Sequence, residues 1–180
     1  IHVEDGLQVI NGMPSEKFDG SWDVLSQKIL EIVDPQVWEQ SAQDLFKLYF
    51  YSYVSGNGDL HAKNVSVWTN PDTNIVEVSP SYDLTSLVFY PLDKNTVDKT
   101  MGLPLNKSKN NFKPADFLAY AQRIGLDEQS AKQIMVDISK TVSREIGNFQ
   151  APNIYEVIMN QGKEIITERC AVFMDLAIEQ

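Results

Sequence analysis

The chain has 180 residues, 43% of them apolar and three of them Trp, enough for one domain or one large lobe with a real core. Its formal net charge of −10 argues against a segment that grips nucleic acid by itself, and its aromatic and branched residues argue against disorder. No apolar run approaches the roughly 20 residues of a membrane span, and the single Cys170 allows no internal disulfide, so a cytoplasmic setting away from membranes is expected.

In chain order, the pattern predicts a short helix over 2–10, closed by Asn11-Gly12. A second helix fits Trp22 to Val33. Asp34-Pro35 reads as an N-cap followed by proline at the first helical position. The helix it opens is strongly apolar in its second half. Leu45, Phe46, Leu48, Tyr49, Phe50 and Tyr53 go nearly all round it, so that end should be buried, and Gly56 should stop it. His2 reads as surface, and Asp23, Glu31 and Glu39 as exposed helix charges.

After Asn64 the period changes from helical to alternating. VSVWT alternates, NPDTN is a dense turn signal, and IVEVS alternates again, which predicts a β-hairpin from Asn64 to about Pro80. Residues 91–113 are loop-rich, and Asp93 and Asp98 there receive no role. Pro114 to Ile124 reads as a helix closing on Gly125. Asp127 caps another to about Phe149, and Asn153 caps a last one running to the C-terminus. The expected fold class is mostly α with one small β-hairpin, an α+β arrangement.

The stretch GNGDLHAKN, Gly56 to Asn64, holds more than a turn requires. Asn64 begins the first hairpin strand, and Asp83, in SPSYDLTS, follows the second. Antiparallel strands of similar length should therefore bring Asn64 and Asp83 side by side, with Asp59 on the loop before them. Mg²⁺ prefers oxygen ligands and takes few of them from the protein, which Asn64 and Asp83 could supply. Asp59, held off the metal, could accept a proton from a hydroxyl nucleophile. Phosphoryl transfer asks for that combination, and Asp, four residues, then Asn is the spacing of kinase catalytic loops. Tyr82 is expected to pack on the hairpin.

GNGDLHAKN followed by SPSYDLTS resembles the catalytic and metal loops of the HipA-like serine/threonine kinases, bacterial toxins of toxin–antitoxin pairs. VEDGLQVINGMPSEKF, DLFKLYFYSYVSG and the stretch from MGLPLN through PADFLAYAQRIGL resemble further segments of that family, so the likeness covers most of the chain. It implies a C-terminal kinase lobe over 1–180, with Asp59 as catalytic base and Asn64 and Asp83 as magnesium ligands. It also implies a role near the ATP γ-phosphate for His61 or Lys63, and contact with the nucleotide for His61, Asn64 and Asp83. Mg²⁺ and ATP follow as cofactor and co-substrate. The implied partners are a protein substrate, such as a translation factor or aminoacyl-tRNA synthetase, and an antitoxin protein.

One departure stands out. These residues hold no Gly-rich loop before a strand Lys, the parts that clamp nucleotide in a kinase. The family carries them upstream in a smaller lobe, so the chain alone is expected to bind ATP weakly and to be inactive. Two other readings use the same residues: a non-catalytic interaction module on a kinase fold, and a small-molecule kinase lobe like that of aminoglycoside phosphotransferases. A metal-dependent hydrolase using Asp59, His61 and Asp83 would want more ligands than two His provide.

Overall fold

The computed structural model describes residues 2–93, 96–150 and 156–176. In chain order these form β1 (Val3–Asp5), α1 (Gly6–Val9), α2 (Trp22–Leu30), α3 (Trp38–Ser55), β2 (Ser66–Thr69), β3 (Val76–Val78), α4 (Pro114–Arg123), α5 (Glu128–Asn148) and α6 (Glu156–Ala171). The fold is mostly helical with one antiparallel sheet ordered β1-β2-β3, in which the predicted hairpin supplies β2 and β3.

The start of the chain differs from the helix expected over 2–10. Residues 3–5 pair with β2, Val3 opposite Trp68 and Asp5 opposite Ser66. The free edge of β2 offers backbone partners that a short exposed helix would have to find in water, and pairing wins. Asp5 then caps the single helical turn that remains: its carboxylate accepts from Gln8 N, and Gln8 Oε1 accepts from Asp5 N, each at 2.9 Å. Two helix ends also move. α2 stops at Leu30 instead of Val33, and Pro35–Val37 is a 3-10 turn, so α3 starts only at Trp38 although Asp34 does cap Gln36 N at 3.1 Å.

α3 is the axis of the core. Leu45, Phe46, Tyr49 and Phe50 have no exposed surface and Tyr53 almost none, as their all-round placement predicts. Phe117 of α4 and Phe173 meet the Phe50 ring edge-on at 4.9 and 5.0 Å. Each large side chain buried this way contributes roughly 1.5–3 kcal/mol. The Tyr120 hydroxyl, buried between α4 and α2, accepts from Trp22 Nε1 at 2.7 Å and pairs with Ser26 Oγ at 2.8 Å. Burial pushes its pKa far above that of an ordinary phenol, so it works as a neutral strut.

Asp23 is not the solvated charge its position suggests. Its carboxylate, 13% exposed, takes Arg123 Nη1 at 2.7 Å and ties α2 to α4. Glu31 and Glu39 are exposed as expected. The predicted cap Asn153 lies outside the described residues, and the last helix ends at Ala171. No helix among the described residues is long and apolar enough to cross a membrane.

Candidate active site

The buried end of α3 delivers the chain to the Gly56–Asn64 loop. Gly56 sits at φ 77°, a left-handed conformation natural to glycine, and ends the helix there. Asn57 turns inward: its amide N–H reaches Ser52 O at 2.8 Å and its Oδ1 accepts from Asp59 N at 3.3 Å. The backbone of Asp59 is thus held by a fully buried side chain. The Asp59 carboxylate itself is half-buried and takes no hydrogen bond among the described residues.

Other segments wall this loop. Thr100 O lies 2.6 Å from where a Cβ on Gly58 would sit, and Leu60 O lies 2.5 Å from where one on Gly102 would sit. Leu103 N donates to Leu60 O at 3.2 Å. Lys17 O accepts from Ala62 N at 3.0 Å, and the Phe18 ring stands edge-on to His61 at 5.1 Å.

The hairpin returns the chain beside Asn64, and the irregular stretch that follows β3 carries Asp83 to it. Asn64 is buried at the end of a 3-10 turn, Ala62–Asn64. Its Oδ1 accepts from His61 N at 3.2 Å, and its Nδ2 donates to Asp83 Oδ2. Asp83 is exposed and adopts φ 54°, a left-handed conformation that aspartate tolerates better than most residues. The Tyr82 hydroxyl meets Ser66 Oγ at 2.6 Å and donates to Lys63 O at 2.7 Å, so Tyr82 does pin the far arm of the hairpin to the near one. Ser86 Oγ donates to Ser55 O at 2.6 Å and fixes the next stretch against α3.

His61 and Lys63 part company. Lys63 is exposed, whereas His61 is buried. Burial, and then the nearby Lys17 charge, hold the His61 pKa below its ordinary value, so the ring is neutral at neutral pH. Its Nδ1 has no hydrogen-bond partner among the described residues. Sequence reasoning passed over Asn57, Lys17, Phe18 and the Lys99–Leu103 wall. Only the glycines at 58 and 102 hinted that two backbones approach closely there.

The family model for the HipA-like C-terminal domain matches residues 1–146. The chain belongs to this HipA-like family. A putative kinase of Sinorhizobium fredii, Y4dM, is 30% identical over 91 residues, covering 50% of this chain and 21% of that protein. A putative kinase of Haemophilus influenzae is 23% identical over 128 residues, covering 64% of this chain and 36% of that protein. The chain therefore spans about a fifth to a third of the length of these curated relatives. Among solved structures, the HipA toxin of Shewanella oneidensis MR-1, in a complex of HipA, HipB and operator DNA, matches with a TM-score of 0.70. The identity there is 16%, over 98% of this chain and 46% of HipA, so the two share a fold.

The donor set of the HipA-like site can be set against the metal it is expected to hold. Among the described residues no three of His, Cys, Asp and Glu cluster closely enough to enclose an ion. Asn64 and Asp83 instead offer a carboxamide and an exposed carboxylate. Asn64 Oδ1 keeps a second lone pair beyond its bond from His61 N. One or two protein oxygens, with the remaining positions left to phosphate and water, suit Mg²⁺.

Proposed function

We propose that this chain is the C-terminal catalytic lobe of a HipA-like serine/threonine kinase, which transfers the ATP γ-phosphate to a protein hydroxyl. The observation that carries the reading is the Asn64–Asp83 contact at the mouth of the loop bearing Asp59. Asp59 takes the proton from the substrate hydroxyl as that oxygen attacks phosphorus. Asn64 and Asp83 present their oxygens to Mg²⁺, which would neutralise charge on the phosphates when bound. Lys63, exposed on the same loop, is the cation free to meet phosphate oxygens. The burial of His61 suits it to bracing the loop from behind.

The complete protein, on this reading, is the toxin of a toxin–antitoxin pair, because the HipA of similar fold is held with HipB. Its partners are an antitoxin protein and a protein substrate with an accessible Ser or Thr, such as a translation factor or aminoacyl-tRNA synthetase. The acidity of these 180 residues argues against direct contact with nucleic acid.

Phosphate transfer from ATP by the complete polypeptide, across a magnesium titration, tests this. Asp59→Asn keeps the shape of the side chain but cannot take a proton, so turnover should fall by about 10²–10⁴. Asp83→Asn should instead shift the magnesium requirement upward. Near-wild-type phosphorylation by both variants would overturn the assignment. No transfer by the wild type would leave an interaction module in its place.

A further inference from the structure

The proposed mechanism leaves one buried charge unused. Arg169, near the end of α6, is 7% exposed, yet among the described residues no carboxylate pairs with it. Burial lowers its pKa, as expected of a guanidinium that gives up water. A buried charge is retained only where its hydrogen bonds are well satisfied. Those of Arg169 go to neutral acceptors on two separate segments. Nη1 donates to Tyr53 O at 2.5 Å, in the last turn of α3. Nη2 donates to Lys99 O and, at 3.1 Å, to Asn110 Oδ1. The guanidinium also lies 4.4 Å over the Tyr53 ring.

The first of these two segments is the end of α3, from which the Asp59 loop leaves, and the second includes the Lys99–Leu103 wall of that loop. Tyr53 lies three residues before Gly56, and Tyr53 O also accepts from Gly56 N at 3.3 Å. Lys99 precedes Thr100, whose carbonyl closes on Gly58, and Gly102 and Leu103, which close on Leu60. Lys109 Nζ, donating to Gly102 O at 2.8 Å, reinforces that wall. Arg169 joins the end of α3 to that wall from a third element. A planar fork with five donors can hold two backbone carbonyls and an amide at fixed angles, which an ammonium cannot.

We propose that Arg169 is a positioning residue: it sets the spacing between the end of α3 and the Lys99–Leu103 segment, and so the placement of Asp59. The proposal rests on the kinase reading for its consequence, and on the geometry alone for the spacing. A loop carboxylate with no hydrogen bond of its own depends on its walls for position, and about 1 Å of misplacement can cost about 10² in rate.

The test compares Arg169→Met and Arg169→Gln with wild type in the complete polypeptide, by amide hydrogen exchange and by phosphoryl-transfer kinetics. Arg169→Met, which donates nothing, should raise exchange at Gly56 and Leu103 at least about tenfold while Leu126, in the α4–α5 connection, and Ala131, near the start of α5, keep their protection. It should lower kcat at least about tenfold with the KM for ATP changed less than about threefold. Arg169→Gln, which keeps two donors, should fall between Met and wild type in both readouts. Wild-type exchange at Gly56 and Leu103 in Arg169→Met would overturn the proposal. So would uniform loss of protection with unchanged kcat per folded molecule, which would make Arg169 merely structural. If the wild type transfers no phosphate, the kinase reading fails, and the exchange pattern still decides whether Arg169 sets the loop.

Discussion

Gly58→Ala separates the placement of the loop from the stability of the fold. Gly58 does not need a left-handed backbone, so the substitution acts through its Cβ alone. That atom would lie 2.6 Å from Thr100 O and 3.3 Å from Leu87 Cδ1. Ordinary contact begins at 3.4 Å, so one backbone must retreat by about 0.8 Å. The obstacle is a carbonyl, with no rotamer to change, and the Thr100 segment is tied back through Lys99 O to Arg169. The Gly58–Asp59 side, with a half-buried carboxylate free of hydrogen bonds, is the side that gives. Overpacking of this size typically costs about 1–3 kcal/mol of stability. A displacement near 1 Å at a catalytic base can cost about 10² in rate. Urea unfolding and phosphoryl-transfer assays on the complete polypeptide should therefore show a folded protein whose kcat has dropped about a hundredfold. Wild-type turnover in Gly58→Ala, with intact folding, would refute the idea that the Thr100 wall places Asp59.

Tyr120→Phe should cost about 1–3 kcal/mol in urea unfolding, because it strands the fully buried Trp22 Nε1–H. A loss below about 0.5 kcal/mol would mean the indole finds another acceptor. Asp127→Ala should cost about 1 kcal/mol by removing the cap on α5, where Asp127 Oδ1 accepts from Ser130 N at 2.9 Å. Ser130 holds the Asp127 carboxyl below the ordinary aspartate value, so this contribution is present above the unfolded pKa and lost as pH falls through the lowered folded one. The difference between wild type and Asp127→Ala should accordingly vanish in acid; a gap that persists there points to something other than the ionised cap.

What the sequence displays best is whatever a short range of residues decides. The all-round apolar face of α3 has one physical solution, burial, and the stop at Gly56 needs only a residue at ease with positive φ. Alternation on either side of NPDTN forces a hairpin, and the hairpin returns the Asp83 stretch to the neighbourhood of Asn64. Contacts decided by distant partners stay hidden. Nothing in VED marks it as a strand until the edge of β2 is there to receive it. Asp23 looks like any helix charge until Arg123, a hundred residues on, closes upon it. Arg169 and Lys99 carry no pattern linking them to a loop forty and more residues upstream. The sequence places His61 in the loop near the expected phosphate, and only the fold shows that it is enclosed beside Phe18 and Lys17.

This division explains how the site is built. Residues proposed to touch phosphate or metal lie on one continuous stretch from Asp59 to Asp83, whose internal geometry is set by strand pairing. Val67 opposite Val78 and Ser79 N on Ser66 O at 2.8 Å return the chain beside Asn64, and the Tyr82 hydroxyl, on Ser66 Oγ and Lys63 O, holds the stretch that carries Asp83. A slip of one residue would turn the buried Val67 out of the core, so the core enforces the register, and the Tyr82 contacts carry its effect to the pair. Asp59 is different, because no ladder reaches it. Its place is set by Asn57, by the end of α3 from which its loop leaves, and by the Thr100 segment beside it. Substitutions in the helical body should therefore reach the proposed base more readily than the proposed metal pair. Turnover is then the quantity most exposed to changes far from the loop, and magnesium dependence the one most protected by the hairpin.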